Sequence, residues 1–283
     1  MDGGRQSSAA LCAPLARDKM PRMLRHSFVH CPGIGLARER TLWEGGYVDW
    51  DAFLDRHPAG GWRDRVAERL TPERAARELP RREAWRLLPE CAGSTLYLDL
   101  ETDGSSGAVT CIGVSDGVTA RAYVDGLDLE RFPEALEGKR LLVTYCGTGF
   151  DLPVLQRHFP GLELRGFLHL DLRAPLHRLG LRGGLKAAEA ACGIERSPAI
   201  RGADGWTAVL LWRAHRAGHP GALDTLRHYC LADAVNLKPL AAIAYNRLTA
   251  LLPFPVLPVP EGLTPVIPHL PDGDLVGRLR ARA

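Results

Sequence analysis

At residue 95 the spacing of apolar residues along the chain changes period. Upstream, residues 24–90 read as helical, with apolar positions recurring among many Arg and Glu. From Thr95 the chain reads TLYLDL, a short apolar run with a β-forming Tyr, bounded by Ser94 and by Asp103-Gly104. A buried strand there requires partner strands downstream, and the sequence supplies them. AVTCIGVS (108–115) and VTARAYV (118–124) are strand-like and meet at Asp116-Gly117, a hairpin signal. Residues 128–138 read as a helix, RLLVTYC (140–146) as a strand, Asp151 to His158 as the start of a helix, and GFLHLDL (166–172) as another strand. Helical pattern then runs to about 251, ending in one long helix from about 221. Three meander strands followed by strands alternating with helices predict an α/β chain. Its mixed sheet is flanked by helices and preceded by a small helical segment.

The chain divides into four segments. Residues 1–22 read as a disordered leader or a mis-assigned start, with Met20 and Met23 as alternative initiators. The apolar stretch at 9–16 is short and broken by Pro14, unlike a secretory signal. Residues 23–90 form the helical segment, in which Pro32-Gly33-Ile34-Gly35 makes a turn, Asp49 caps a helix, and 62–90 carries an exposed, charge-laced helical pattern. Residues 91–251 form the sheet domain. Residues 252–283 form a Pro-rich tail, with Pro at 253, 255, 258, 260, 265, 268 and 271, which suits neither an ordinary helix nor a central strand.

Composition narrows the class. A chain of 283 residues with 46% hydrophobic and 24% charged residues can bury a sizeable core, and its longest apolar runs fall far short of the roughly 20 residues of a membrane helix. Net charge is +3, with the front third mildly basic, which permits a nucleic-acid partner without requiring one. Seven Cys, an odd number with no C-x-x-C pair, argue against a disulfide framework or a zinc site and fit a reducing cytoplasm.

Three short motifs carry chemistry. Asp99-Leu100-Glu101 lies on the first strand, where residues two apart point to one face, so both carboxylates project together from an apolar strand. Two like charges there are costly unless a cation neutralises them, and an all-oxygen cluster suits Mg²⁺ or Mn²⁺. A second D-x-E, Asp128-Leu129-Glu130, sits in a polar loop before a helix and has no such context. Next, LLVTYCGTGFDLPVL (141–155) takes a strand through a Gly-containing loop to Asp151 at a helix start; a capping Asp is the plainer reading of that residue alone. Last, LRHYCLADAVNLKPL (226–240) sets Tyr229 and Asp233 on one face of the late helix.

In this order and context the motifs resemble those of the DEDD 3′–5′ exonuclease superfamily, whose members have a ribonuclease H-like fold. The resemblance covers about residues 94–245, and YCLADA (229–234) is similar to the third exonuclease motif of family B DNA polymerases. Over the whole chain, MLRHSFVHCPGIG (23–35), LYLDLET (96–102) and GALDTLRHYCLADAVNL (221–237) resemble the YprB-type ribonuclease H-like proteins, which favours Met23 as the start.

The resemblance implies that Asp99, Glu101, Asp151 and Asp233 bind two Mg²⁺ or Mn²⁺ ions and that Tyr229 positions the attacking water, as in the tyrosine subclass. His228, five before Asp233, has the spacing of the alternative histidine base. On a helix at 100° per residue Tyr229 is the nearer neighbour of Asp233. Cys146 stands where the second motif often carries Asn, which puts rate or substrate range in question. Asp171 is a further candidate acid, though a helix cap is the plainer reading, and Lys186 a candidate phosphate contact. Gly33, Gly35 and Arg38 resemble the hairpin of a helix-hairpin-helix element and are candidate nucleic-acid contacts. The expected activity is hydrolysis of single-stranded DNA or RNA from the 3′ end by a cytoplasmic enzyme with no membrane partner. The rival readings are a non-catalytic nucleic-acid-binding scaffold and a structure-selective endonuclease.

Overall fold

The computed structural model describes residues 23–282; the leader and start-site readings for residues 1–22 lie outside the described residues. Five strands form one sheet: β1 (Thr95–Thr102), β2 (Val109–Ser115), β3 (Ala120–Val124), β4 (Leu141–Thr144) and β5 (Leu168–Asp171), in the order β3-β2-β1-β4-β5. β1–β2 and β2–β3 are antiparallel, while β4 lies parallel to β1 and β5 parallel to β4. The β2–β3 turn is the expected one, with Gly117 at φ 88° and the Asp116 N–H donating to the Thr119 carbonyl. The sheet is thus a mixed α/β sheet of the expected pattern.

Helices cover both faces. On one, Leu96, Leu98 and Leu100 of β1 pack with Phe132, Leu142 and Leu155. Here α5 (Asp151–His158) is the expected helix, but Leu129–Leu136 is a 3-10 helix. Pro133 within it removes an N–H and clashes with the preceding turn, which accounts for the difference. The opposite face is covered by α8 (Gly205–Arg216) and the long α9 (Ala222–Thr249), with Cys111, Ala122 and Val124 packed against Leu226, Cys230 and Leu231. Between β5 and α8 lie α6 (Arg173–Arg178) and α7 (Leu185–Ala191).

The front segment folds into four short helices, α1 (Leu36–Glu44), α2 (Trp50–Arg56), α3 (Gly61–Ala67) and α4 (Pro72–Glu78), with 3-10 turns at Met23–His26 and Arg81–Leu87. Asp49 caps α2 as expected, accepting from the Ala52 N–H. The expectation of an exposed helix over 62–90 is corrected from residue 83 onward. Glu83 to Pro89 are buried, and their charges are answered inside the protein. Arg86, 1% exposed, donates to both carboxylate oxygens of Glu39 at 2.8 Å and to Glu83 at 3.0 Å. Glu39 also accepts the Phe28 and Val29 N–H groups, and Glu83 accepts from Arg178 of α6. One apolar cluster runs from Met23, Trp43 and Trp85 through Leu141 and Leu170 to Tyr245 of α9, so front segment and sheet share a core.

The tail lies along this surface, one of its two expected forms. Phe254 stacks on His26 and meets the edge of Trp43, and the Asn246 amide bonds the Val259 backbone in both directions. Its end departs from expectation. Residues Gly273–Ala281 form α10, capped by Asp272, with Leu275 and Val276 buried against the α8 side. The prolines stop at 271, so nothing forbids a helix beyond them.

Candidate active site

Asp99 and Glu101 leave β1 on the face opposite Leu98 and Leu100, toward α9. Directly across the sheet from Asp99 is Gly113 of β2. A Cβ at Gly113 would lie 2.7 Å from the Cys230 carbonyl oxygen, so only glycine lets α9 settle this close. That approach carries Tyr229 and Asp233, one turn apart, over the end of β1.

Asp151 arrives from the other side of β1. It begins α5 but does not cap it: Phe150 occupies the cap position and Asp151 is itself buried. The preceding loop is braced by Asp171 at the end of β5, whose carboxylate accepts from the backbone N–H groups of Cys146, Thr148 and Arg173. Cys146 in that loop has φ 64°, the left-handed region where Asn is favoured over other non-glycine residues. Gly147 follows because a Cβ there would overlap the Thr144 hydroxyl at 2.1 Å.

Asp99 and Glu101 thus bring oxygens within 4.8 Å of each other, and Asp151 of α5 and Asp233 of α9 stand near enough to act on both electrostatically. Burial pushes the Asp99 and Glu101 carboxyls well above their usual range, and Asp233 and Asp151 push each further. Asp151 is pushed up to about 7, by burial first and by Asp171 and Asp233 after it. Such a cluster cannot ionise fully without a cation. Asp99 Oδ2 is buried with no hydrogen-bond partner, the orphaned oxygen that a divalent cation satisfies. Cys230 Sγ comes within 4.8 Å of the Asp99 and Glu101 oxygens. Burial keeps it a protonated thiol, facing the Asp99 and Cys111 carbonyls, so the donors that fit a hard cation are the oxygens.

Tyr229 is buried beside these acids, and burial with the Asp233 charge holds its phenol protonated. Lys186 of α7 donates to the Tyr229 hydroxyl at 2.6 Å, stands 4.7 Å from its ring centre and reaches to 3.9 Å from Asp233. His228 turns the other way, its Nδ1 2.8 Å from the His269 carbonyl of the tail. Gly33, Gly35 and Arg38 are not among the groups that meet the carboxylates. Gly33 takes φ 80° before α1, Gly35 caps α1, and Arg38 stacks 4.5 Å over Trp62.

Sequence reasoning missed the cation nearest the site. Arg196, in the loop between α7 and α8, pairs with Asp233 and forks onto Glu189 at 2.5 and 2.6 Å, while Asn236 steadies Glu189 at 3.1 Å. The two carboxylates hold the guanidinium charged despite its burial. The legible signal was on α9, where Asn236 follows Asp233 by three residues and so shares its face.

A family model of the RNase H superfamily matches residues 96–245, more than half of the chain, and the chain belongs to that superfamily. No curated protein and no solved structure matches it significantly. The domain points to nuclease chemistry on nucleic acid, and nucleases of this fold generally use divalent metals. Among the described residues no helix is long and apolar enough to cross a membrane.

Proposed function

We propose that the protein is a metal-dependent exonuclease that shortens single-stranded DNA or RNA from its 3′ end, in the cytoplasm, with Asp99, Glu101, Asp151 and Asp233 holding two Mg²⁺ or Mn²⁺ ions. One observation carries the reading: four carboxylates from β1, α5 and α9 converge with a protonated tyrosine, and a buried Asp99 oxygen lacks any partner. Bound there, the ions would supply an activated water and neutralise charge on the leaving oxygen of a phosphodiester.

The chain's own residues do the rest. Tyr229 receives a hydrogen bond from Lys186 through its oxygen, which leaves its O–H proton to orient a water or a phosphate oxygen. Its raised pKa suits a donor and not a base. Lys186 brings a positive charge to the same place and can meet a phosphate. Arg196 pairs with Asp233 and so positions its carboxylate. The hydrogen bond to the tail keeps the His228 imidazole outside the cluster, which supports Tyr229 as the positioning group. Residues 91–251 are the catalytic unit in this reading, and Gly33, Gly35 and Arg38 offer a secondary backbone contact to nucleic acid.

The test uses 5′-labelled single-stranded DNA and RNA with Mn²⁺, Mg²⁺ or chelator, beside Asp99→Ala and Asp151→Ala. The expected result is a metal-dependent ladder shortening from the 3′ end, lost in both variants. Internal cuts would make the protein an endonuclease, and binding without any cleavage would make it a scaffold.

A further inference from the structure

A groove of about 480 Å³ runs between the front segment and the sheet domain, beside the candidate active site. Its walls carry Arg77 of α4, Arg81 of the following 3-10 turn and Arg165 before β5, and no carboxylate lines it. All three arginines are exposed, and none is in an ion pair among the described residues. By contrast, Arg69 and Arg86 of the same segment are paired with glutamates. The floor is apolar, formed in part by Leu152 and Phe167.

The groove and the carboxylate cluster share one element, α5, which bounds both. Thr148, in the loop leading to Asp151, lines the groove, and α5 divides the two: Asp151 enters the cluster, while Leu152, Pro153 and Gln156 line the groove. At the divide sits Phe150, a large apolar ring left 46% exposed, next to Asp151.

From this geometry we infer that the groove is a binding site for the body of a single-stranded nucleic acid whose end lies at the carboxylate cluster. Arg77, Arg81 and Arg165 meet successive phosphates, and Phe150 stacks a base where the strand crosses α5. The inference rests on the nuclease reading and extends it. Exposed arginines free of carboxylate partners offer phosphates charge-assisted, forked hydrogen bonds without first breaking an ion pair. Apolar floor and aromatic rings accept bases of any sequence, since every base has a π-face. The groove thereby assigns a function to the front segment: it supplies one basic wall of the channel through Arg77 and Arg81.

A strand site of this kind makes binding depend on strand length. A tetranucleotide fills the cluster alone, whereas a 20-mer reaches the groove. Binding of 5′-fluorescein oligo(dT) of 4 and 20 nucleotides would be measured by anisotropy with Ca²⁺, on the full chain and on the triple variant Arg77→Glu, Arg81→Glu, Arg165→Glu. The expected outcome is a loss of about tenfold or more for the 20-mer with the 4-mer unchanged. Losing three phosphate contacts should also flatten the slope of log K against log salt by about 2, at roughly 0.7 per contact on a single strand. The triple Arg→Lys variant should retain most of the 20-mer affinity, which a folding defect would not allow. If wild type binds both lengths equally, or the Glu variant keeps its 20-mer affinity, the groove is not a strand site and the nuclease reading stands. If wild type binds neither length and cleaves nothing, the nuclease reading itself falls.

Discussion

Asp151 shows most directly how one residue's environment sets its chemistry. Its carboxyl titrates at about 7 in the folded chain against 3.8 ordinarily, because burial disfavours the charge. A raised folded pKa contributes stability below the unfolded value, and that stability is lost as pH rises through the folded one. In chelator, therefore, Asp151→Asn should stabilise the protein more at pH 8 than at pH 5, as read by thermal melting. Equal shifts at both pH values would contradict the assignment. Cys146 presents the converse case. It holds φ 64°, a conformation costing most residues roughly 1–2 kcal/mol and Asn less. Cys146→Asn should thus raise stability by up to about 1 kcal/mol in urea unfolding, without loss of activity. Asp171, by sequence either an acid of the site or a cap, bonds three backbone N–H groups and is the brace of that loop.

Among the elements, the contact of α9 with β2 decides whether the site assembles. Gly113 permits it, since any Cβ would meet the Cys230 carbonyl and sulfur at 3.0 Å or less. Overpacking of this kind costs about 1–3 kcal/mol. Gly113→Ala should lower the urea midpoint and weaken Mn²⁺ binding together, because the helix that must shift carries Asp233. A variant with lowered stability but unchanged Mn²⁺ affinity would show that α9 yields elsewhere. The elements themselves were mostly legible. β1 to β5, the Asp116-Gly117 turn, α5 and the long α9 follow from period, turn residues and run length. The 3-10 form of Leu129–Leu136 was announced by Pro133, and α10 was masked by the prolines before it.

In the molecule as a whole, the parts that resisted reading are long-range ion pairs. Arg86 and Glu39 are separated by 47 residues, and nothing in either neighbourhood distinguishes them from solvated charges. Arg196 poses a similar difficulty inside the candidate site: its own neighbourhood does not mark it, and the one signal for it is Asn236, a turn from Asp233 on α9. The Asp99-Glu101 pair was legible because strand alternation fixes its direction, and Tyr229 with Asp233 because helical period does. Arg86 gathers Glu39 and Glu83 within the front segment, and Glu83 crosses to Arg178 of α6 in the sheet domain. Arg86→Ala leaves two buried carboxylates with their main cation gone, which costs about 3–5 kcal/mol. Urea denaturation should show that loss across the whole transition if the two segments unfold as one, which their shared core implies. A separate early transition for the front segment would contradict it.

The nuclease reading stands or falls on whether Asp99, Glu101, Asp151 and Asp233 act together as a divalent-cation centre. Calorimetric titration of the metal-free protein with Mn²⁺ at pH 7.5, beside Asp99→Asn, tests it most directly. The wild type should bind two Mn²⁺ ions, and the folded variant should lose at least one of them. Absence of binding in the wild type, or the same isotherm in Asp99→Asn, would contradict it.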